Sequence, residues 1–227
     1  MIKNIFQKGT TMYFSNSPLE TDCQNLIQLQ EQIRSCRLCE AEFGFEPHPI
    51  VFGNLHAKIM QISQAPSRTV HQTGKPFNDA SGRRLRQEWY KIPDKIFYNP
   101  DYFYIVSVAH CYPGKGNAKG DRRPPKCCAD RWLVRELSLV QNEIYILIGS
   151  TAAAHFFPHQ KLTDLVFYDQ NINGKTTYVL PHPSPLNMRW FQLYPEFLEK
   201  RIPQIRAALH EILEISSVRK SRKSNSV

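Results

Sequence analysis

Leucine and isoleucine recur at helical spacing through "LETDCQNLIQLQEQIRSC", which predicts a helix over about residues 22–35 with Thr21 or Asp22 as its N-cap, delivering the chain to Cys36. Farther on, the pattern changes from periodic to continuous. The run "AKIMQISQ" reads as a buried strand ending at Ala65-Pro66, followed by a long loop as far as Phe77. "DASGRRLRQEWYKI" then begins a helix at a capping Asp79 or Ser81. "DYFYIVSVAH", rich in β-branched and aromatic residues, is a second strand, and "CADRWLVRELSLV" a helix. "EIYILIGS" is a third strand that runs straight into the helical "TAAAHFF", "TTYVL" is a short fourth strand, and a last helix covers about residues 198–215.

Strand and helix therefore alternate along the chain, which predicts an α/β fold: a three-layer α/β/α sandwich around a central, mostly parallel four-stranded sheet. Ligands in such sheets bind beyond the carboxyl ends of the strands. Those ends fall at Ser63-Gln64-Ala65, Ser107 to Cys111, Gly149-Ser150 and His182. The last lies in "LPHPSPLNMRW", where prolines restrict their own backbone and that of the residue before, so the loop is a stiff mount for a functional side chain.

A chain of 227 residues holds one sizeable domain, expected over residues 21–215, with an extension over 1–20 and a basic tail over 216–227. The apolar runs are too short for a membrane span, and "MIKNIFQKGTTMYFSNS" has no continuous apolar core, so a cytoplasmic or nuclear location is expected rather than a secreted one. The net charge of +9 points toward a polyanionic partner. The central loop "YPGKGNAKGDRRPPK" alone carries five basic residues and one acid.

Six cysteines change the picture. In a reducing compartment a disulfide framework is disfavoured. "CRLC" presents Cys36 and Cys39 on one short loop, and Cys111 with either Cys127 or Cys128 completes a set of four, the pattern of a metal or cluster site. Zinc and a 4Fe-4S cluster both accept four thiolates.

The segment "ISQAPSRTVHQTGKPFNDASGRRLR" resembles the first motif of the uracil-DNA glycosylase superfamily, in particular its iron-sulfur branch, and "HPSPLN" resembles the second. "CRLC", "HCYPGK" and "CCADRW" resemble the cluster-ligand segments of that branch, and the resemblance covers about residues 30–210. It implies a monomeric, monofunctional glycosylase that hydrolyses the N-glycosidic bond of uracil or another deaminated base in duplex or single-stranded DNA. The implied cofactor is a 4Fe-4S cluster on Cys36, Cys39, Cys111 and Cys128, the last preferred to Cys127 because "CADRW" resembles a CAxxW step.

The chemistry of base excision suits the residues. A flipped base needs a stacking face, supplied here by Phe77, and contacts to its edge, supplied by the backbone around Gln64 and Ala65. His182 would donate to the base oxygen on which negative charge develops. Leu186 is the candidate wedge for the gap left in the duplex, and Ser184 and Asn187 are candidate phosphate contacts. No lysine sits in the motifs to form a Schiff base.

Two departures from the resemblance stand out. The place of the water-activating aspartate reads Ala65, and the acidic position later in the motif falls near Val70, which leaves His71 as the candidate base. The asparagine that reads the uracil edge aligns with Ser107, whose hydroxyl both donates and accepts. A second reading follows from the missing carboxylates: an iron-sulfur nucleic-acid-binding protein of the same fold without activity. A third reading, a zinc deaminase, is a poor fit because its HxE and PCxxC pairing is absent.

Overall fold

Strands β1 (Ile59–Ser63), β2 (Phe103–Ser107) and β3 (Ile144–Ile148) are buried at every position, so each is covered on both faces, which is why they read as continuous apolar runs. The computed structural model describes residues 18–44, 46–116 and 120–215. The expected basic tail, and the expected extension up to residue 17, lie outside the described residues.

The sheet has five strands, one more than the pattern predicts. A three-residue strand, β4 (Gln170–Ile172), pairs antiparallel with β5 (Lys175–Leu180) at the sheet edge. The strand order is β2-β1-β3-β5-β4, and every pairing except that hairpin is parallel. The hairpin turn is Asn173-Gly174, with φ of 52° and 79°, the two positive values that a type I′ turn requires.

Around the sheet lie α1 (Pro18–Arg34), α2 (Leu38–Phe43), α3 (Arg68–Thr73), α4 (Ala80–Arg84), α5 (Asp94–Phe97), α6 (Lys126–Cys128) and α7 (Val134–Leu139). They are followed by α8 (Ser150–Phe156), α9 (Leu162–Leu165), α10 (Met188–Leu193) and α11 (Ile202–Ile212). Helix α4 continues into a π-helical stretch at Leu85–Tyr90, and α11 is preceded by another at Phe197–Arg201.

Two expectations are corrected. The first helix starts at Pro18, a residue whose fixed φ suits a first turn, so Thr21 and Asp22 lie inside it rather than at its cap. The expected long loop before Phe77 contains α3, which Ser67 caps by accepting from the Val70 N–H at 3.3 Å and Gly74 ends at φ 68°. Six residues are too few to show helical periodicity.

Helix α1 contributes Leu26, Leu29 and Ile33 to the core. Tyr90, Phe97 and Phe103 fill the space on the β2 side with rings 5.0 to 6.4 Å apart. Among the described residues no helix is long and apolar enough to cross a membrane.

Because β2 and β3 flank β1 on opposite sides, the chain reverses its direction of winding there. A crevice therefore opens beyond Ser63 and Ile148, where α/β sheets hold their ligands.

Candidate active site

That crevice is a cleft of about 540 Å³. It gathers Gln64 and Ala65 from the end of β1, Ser107 from β2, Phe77 from the loop before α4, and His182, Ser184, Leu186 and Asn187 from the loop after β5. Eight sequence-predicted site residues thus border one space. His71 and the cysteines do not border it.

Phe77 is held in an unusual backbone state. Its φ of 52° lies in the left-handed region, which costs a residue with a bulky side chain about 1–3 kcal/mol. Its carbonyl accepts a hydrogen bond from the Arg86 guanidinium at 2.8 Å, and that guanidinium also pairs with Asp94 at 2.8 Å. A Cβ on Gly82 would lie 1.7 Å from the same carbonyl oxygen, so the first turn of α4 approaches Phe77 this closely only with glycine there. The ring meets Phe97 edge-on at 6.2 Å, which fixes its plane at the cleft wall.

His182 is positioned by its own loop. The Ser184 N–H donates to Nδ1 at 3.2 Å, so Nδ1 carries the lone pair and the ring proton sits on Nε2. Asn187 Nδ2 donates to the His182 carbonyl at 2.7 Å, and Ser184 Oγ accepts from the Leu186 N–H at 3.2 Å. Ser184 and Asn187 therefore brace the loop with the same groups that were expected to hold phosphates. Burial lowers the His182 pKa, and the Asp79 carboxylate opposes that only in part. The ring is a neutral donor. Beside it, Leu186 stands 94% exposed, an apolar side chain projecting into solvent at the rim.

His71 turns elsewhere. Its ring packs against those of His48 and Tyr112, at 5.3 and 6.0 Å, and its Nδ1 is buried with no hydrogen-bond partner. The residue that sequence reasoning missed is Asp79, a carboxylate on the cleft wall close enough to His182 to act on its pKa. Its oxygens accept from the Gly82 N–H at 2.9 Å and from Ser67 Oγ at 2.8 Å. Asp79 reads in sequence as a helix cap, which it is, and that reading hid its second environment.

At the cleft floor, Ser63 and Ser107 share a hydrogen bond at 2.8 Å between buried hydroxyls. Gln64 Oε1 accepts from the Thr151 hydroxyl at 2.6 Å.

The cysteines form a separate place. Cys36, Cys39, Cys111 and Cys128 line one small cavity walled by Pro47, Pro49, Pro125 and Trp132, whereas Cys127 is exposed and outside it. Burial pushes the Cys111 thiol up to about 12, and the three neighbouring cysteines add to the rise. Such a group ionises only against added positive charge, which iron or zinc would bring. A single zinc with Zn–S near about 2.3 Å would need sulfurs about 3.8 Å apart. Among the described residues no three His, Cys, Asp or Glu side chains stand in an arrangement that holds a metal ion. Four thiolates are a donor set that both zinc and a 4Fe-4S cluster accept.

Behind Cys128, its sulfur lies 3.3 Å from the His110 backbone N–H, and 3.4 Å from His110 Nδ1. His110 Nε2 meets Glu136 at 2.8 Å, and the Tyr104 hydroxyl donates to the same carboxyl at 2.7 Å. Burial opposes charge on His110, but Glu136 and Cys128 outweigh it and carry its pKa up to about 10.

Comparison with known proteins places this geometry. Residues 50–206 match the family described as the Uracil DNA glycosylase superfamily. The chain is 27% identical over 144 residues to a type-4 uracil-DNA glycosylase of Archaeoglobus fulgidus, covering 63% of this chain and 68% of that protein. It is 23% identical over 193 residues to a type-4 uracil-DNA glycosylase of Saccharolobus solfataricus, covering 82% and 87%. A type-5 uracil-DNA glycosylase of Pyrobaculum aerophilum is 25% identical over 191 residues, covering 78% and 83%.

Proposed function

Since the chain belongs to the uracil DNA glycosylase superfamily, we propose that its cleft hydrolyses the N-glycosidic bond of uracil or another deaminated base flipped out of DNA, acting in base excision repair. The observation that carries this reading is His182, a neutral imidazole with its proton on Nε2, mounted in a braced loop at the mouth of the sheet. As the bond breaks, negative charge collects on the departing base. A fixed donor costs no reorganisation at that moment and is worth roughly 2.7–4 kcal/mol.

The other groups follow from their positions. Phe77 stacks the flipped base, and the strain in its backbone is the cost of aiming the ring. Leu186 enters the duplex where the nucleotide has left. Asp79, on the cleft wall near His182, is the carboxylate that would offset oxocarbenium charge and orient the attacking water, in place of His71. Cys36, Cys39, Cys111 and Cys128 would hold a 4Fe-4S cluster, which would supply a cross-link between chain segments. The protein acts as a monomer.

The test is incubation with oligonucleotides containing uracil, hypoxanthine, xanthine or a modified pyrimidine, followed by alkaline cleavage of abasic sites. Strand breaks at one or more of these bases are the expected result. Tight DNA binding with no breaks at any of them would favour the binding-only reading.

A further inference from the structure

We propose that the side-chain amide of Gln64, oriented by Thr151, selects the base by donating to a carbonyl oxygen where an undamaged base carries an amine. This deepens the glycosylase reading and rests on it for the claim that a base enters this cleft.

The amide has one orientation. A separation of 2.6 Å between Thr151 Oγ1 and Gln64 Oε1 is the length of an O–H···O bond and shorter than the usual N–H···O range, so the hydroxyl donates and Oε1 accepts. With Oε1 engaged, Nε2 is left with two N–H donors. It has no acceptor among the described residues and does not count among the buried unpartnered atoms, so it is open to an incoming group. Gln64 borders the cleft together with Phe77 and His182.

The neighbouring polar groups cannot discriminate. In the Ser63–Ser107 pair either hydroxyl can donate, so the pair offers a donor or an acceptor as the ring nitrogen demands. An adaptable pair tolerates both a protonated and an unprotonated ring position. The fixed donor of His182 is assigned to the oxygen on which charge collects, so discrimination between oxygen and amine falls to Gln64. A donor-only amide favours the keto oxygen of a deaminated base and leaves an exocyclic amine facing two N–H groups. The expected preference is roughly ten- to a hundredfold.

Binding, not turnover, isolates this reading. The 2′-fluoro analogues of deoxyuridine and deoxycytidine resist glycosidic cleavage, and each is placed in otherwise identical single-stranded oligonucleotides for affinity measurement with the full chain. Wild type is expected to prefer the uracil analogue by the factor above. Gln64→Glu presents an acceptor and should bring the ratio to one or below. Thr151→Val releases the amide to rotate, so the ratio should fall part of the way; Thr151 acts as a positioning residue. A variant that only loses structure lowers both affinities together, which the thermal unfolding midpoint reports, and the second variant then decides. No preference in wild type, or an unchanged ratio in both folded variants, overturns the proposal. Selective binding without release of natural uracil would keep it and sink the glycosylase reading; release without selectivity would do the reverse.

Discussion

The cleft and the cysteine cavity are built on opposite strategies. In the cleft, the working groups are positioned by the backbone. The Ser184 N–H sets the His182 tautomer, and Arg86 and Gly82 hold the Phe77 backbone. Nothing further is needed to complete that geometry. In the cysteine cavity, four cysteines line one small space with proline and tryptophan walls, burial keeps the Cys111 thiol protonated, and a buried His110–Glu136–Tyr104 network lies behind Cys128. The proposed cluster would tie those four segments together. One region is set by its backbone before any guest arrives, whereas the other would be completed by what it holds.

The comparison breaks most visibly at the cysteines. Cys111→Ala should lose iron and lower the thermal unfolding midpoint by roughly 10 °C or more, because ligation energy is folding energy in such sites. Cys127→Ala should keep both, since that side chain lies outside the cavity. Iron and sulfide analysis of anaerobically purified protein checks both, and iron lost in Cys127→Ala but kept in Cys128→Ala would reassign the fourth ligand.

At the cleft the expected effects are on rate rather than on fold. His182→Ala should slow single-turnover base release by roughly 100- to 1000-fold, with DNA affinity nearly intact. The pH dependence has a definite sign. The His182 pKa is lowered by burial, so the ring stays mainly neutral at pH 6.5, where an ordinary histidine is half protonated. Acidification through the lowered pKa protonates Nδ1 and breaks its bond with the Ser184 N–H. Nitrogen chemical shifts of the labelled ring should report the Nε2–H tautomer down to that point; a half-charged ring at pH 6.5 would contradict the assignment.

The smallest effect is the most discriminating. Leu186→Ala should cost about tenfold in duplex substrates, where flipping must be won, and little in single strands, where the base is already unstacked. A uniform loss across paired, mismatched and single-stranded oligonucleotides would make Leu186 a loop-packing residue.

The parts legible in sequence were those with long or rigid signals. The buried strands announced themselves as continuous apolar runs, and their carboxyl ends at Gln64-Ala65, Ser107 and His182 border one cleft, as do Phe77, Ser184, Leu186 and Asn187, which the resemblance pointed to. Edge strand β4 was missed because three residues make no pattern, although Asn173-Gly174 is a strong hairpin signal. His71 was placed by its distance from a motif, but α3 turns its ring toward His48 and Tyr112. Asp79 was read for its cap alone, and the Gln64–Thr151 bond joins residues 87 apart, a pairing no local pattern reveals.

The position of β1 has a consequence for how the chain reaches this state. It is the first strand of this sheet to be synthesised, yet its partners lie on both sides and arrive late: Ile59 pairs with Phe103 and then with Ile144. Every residue of this strand is buried at the end, and none can be paired at the start. Each ladder must close a long loop before it gains anything, so folding should be slow for the size of the domain. A nascent chain stalled between residues 63 and 103 would present "IMQIS" with both edges open, the segment most exposed to misassociation.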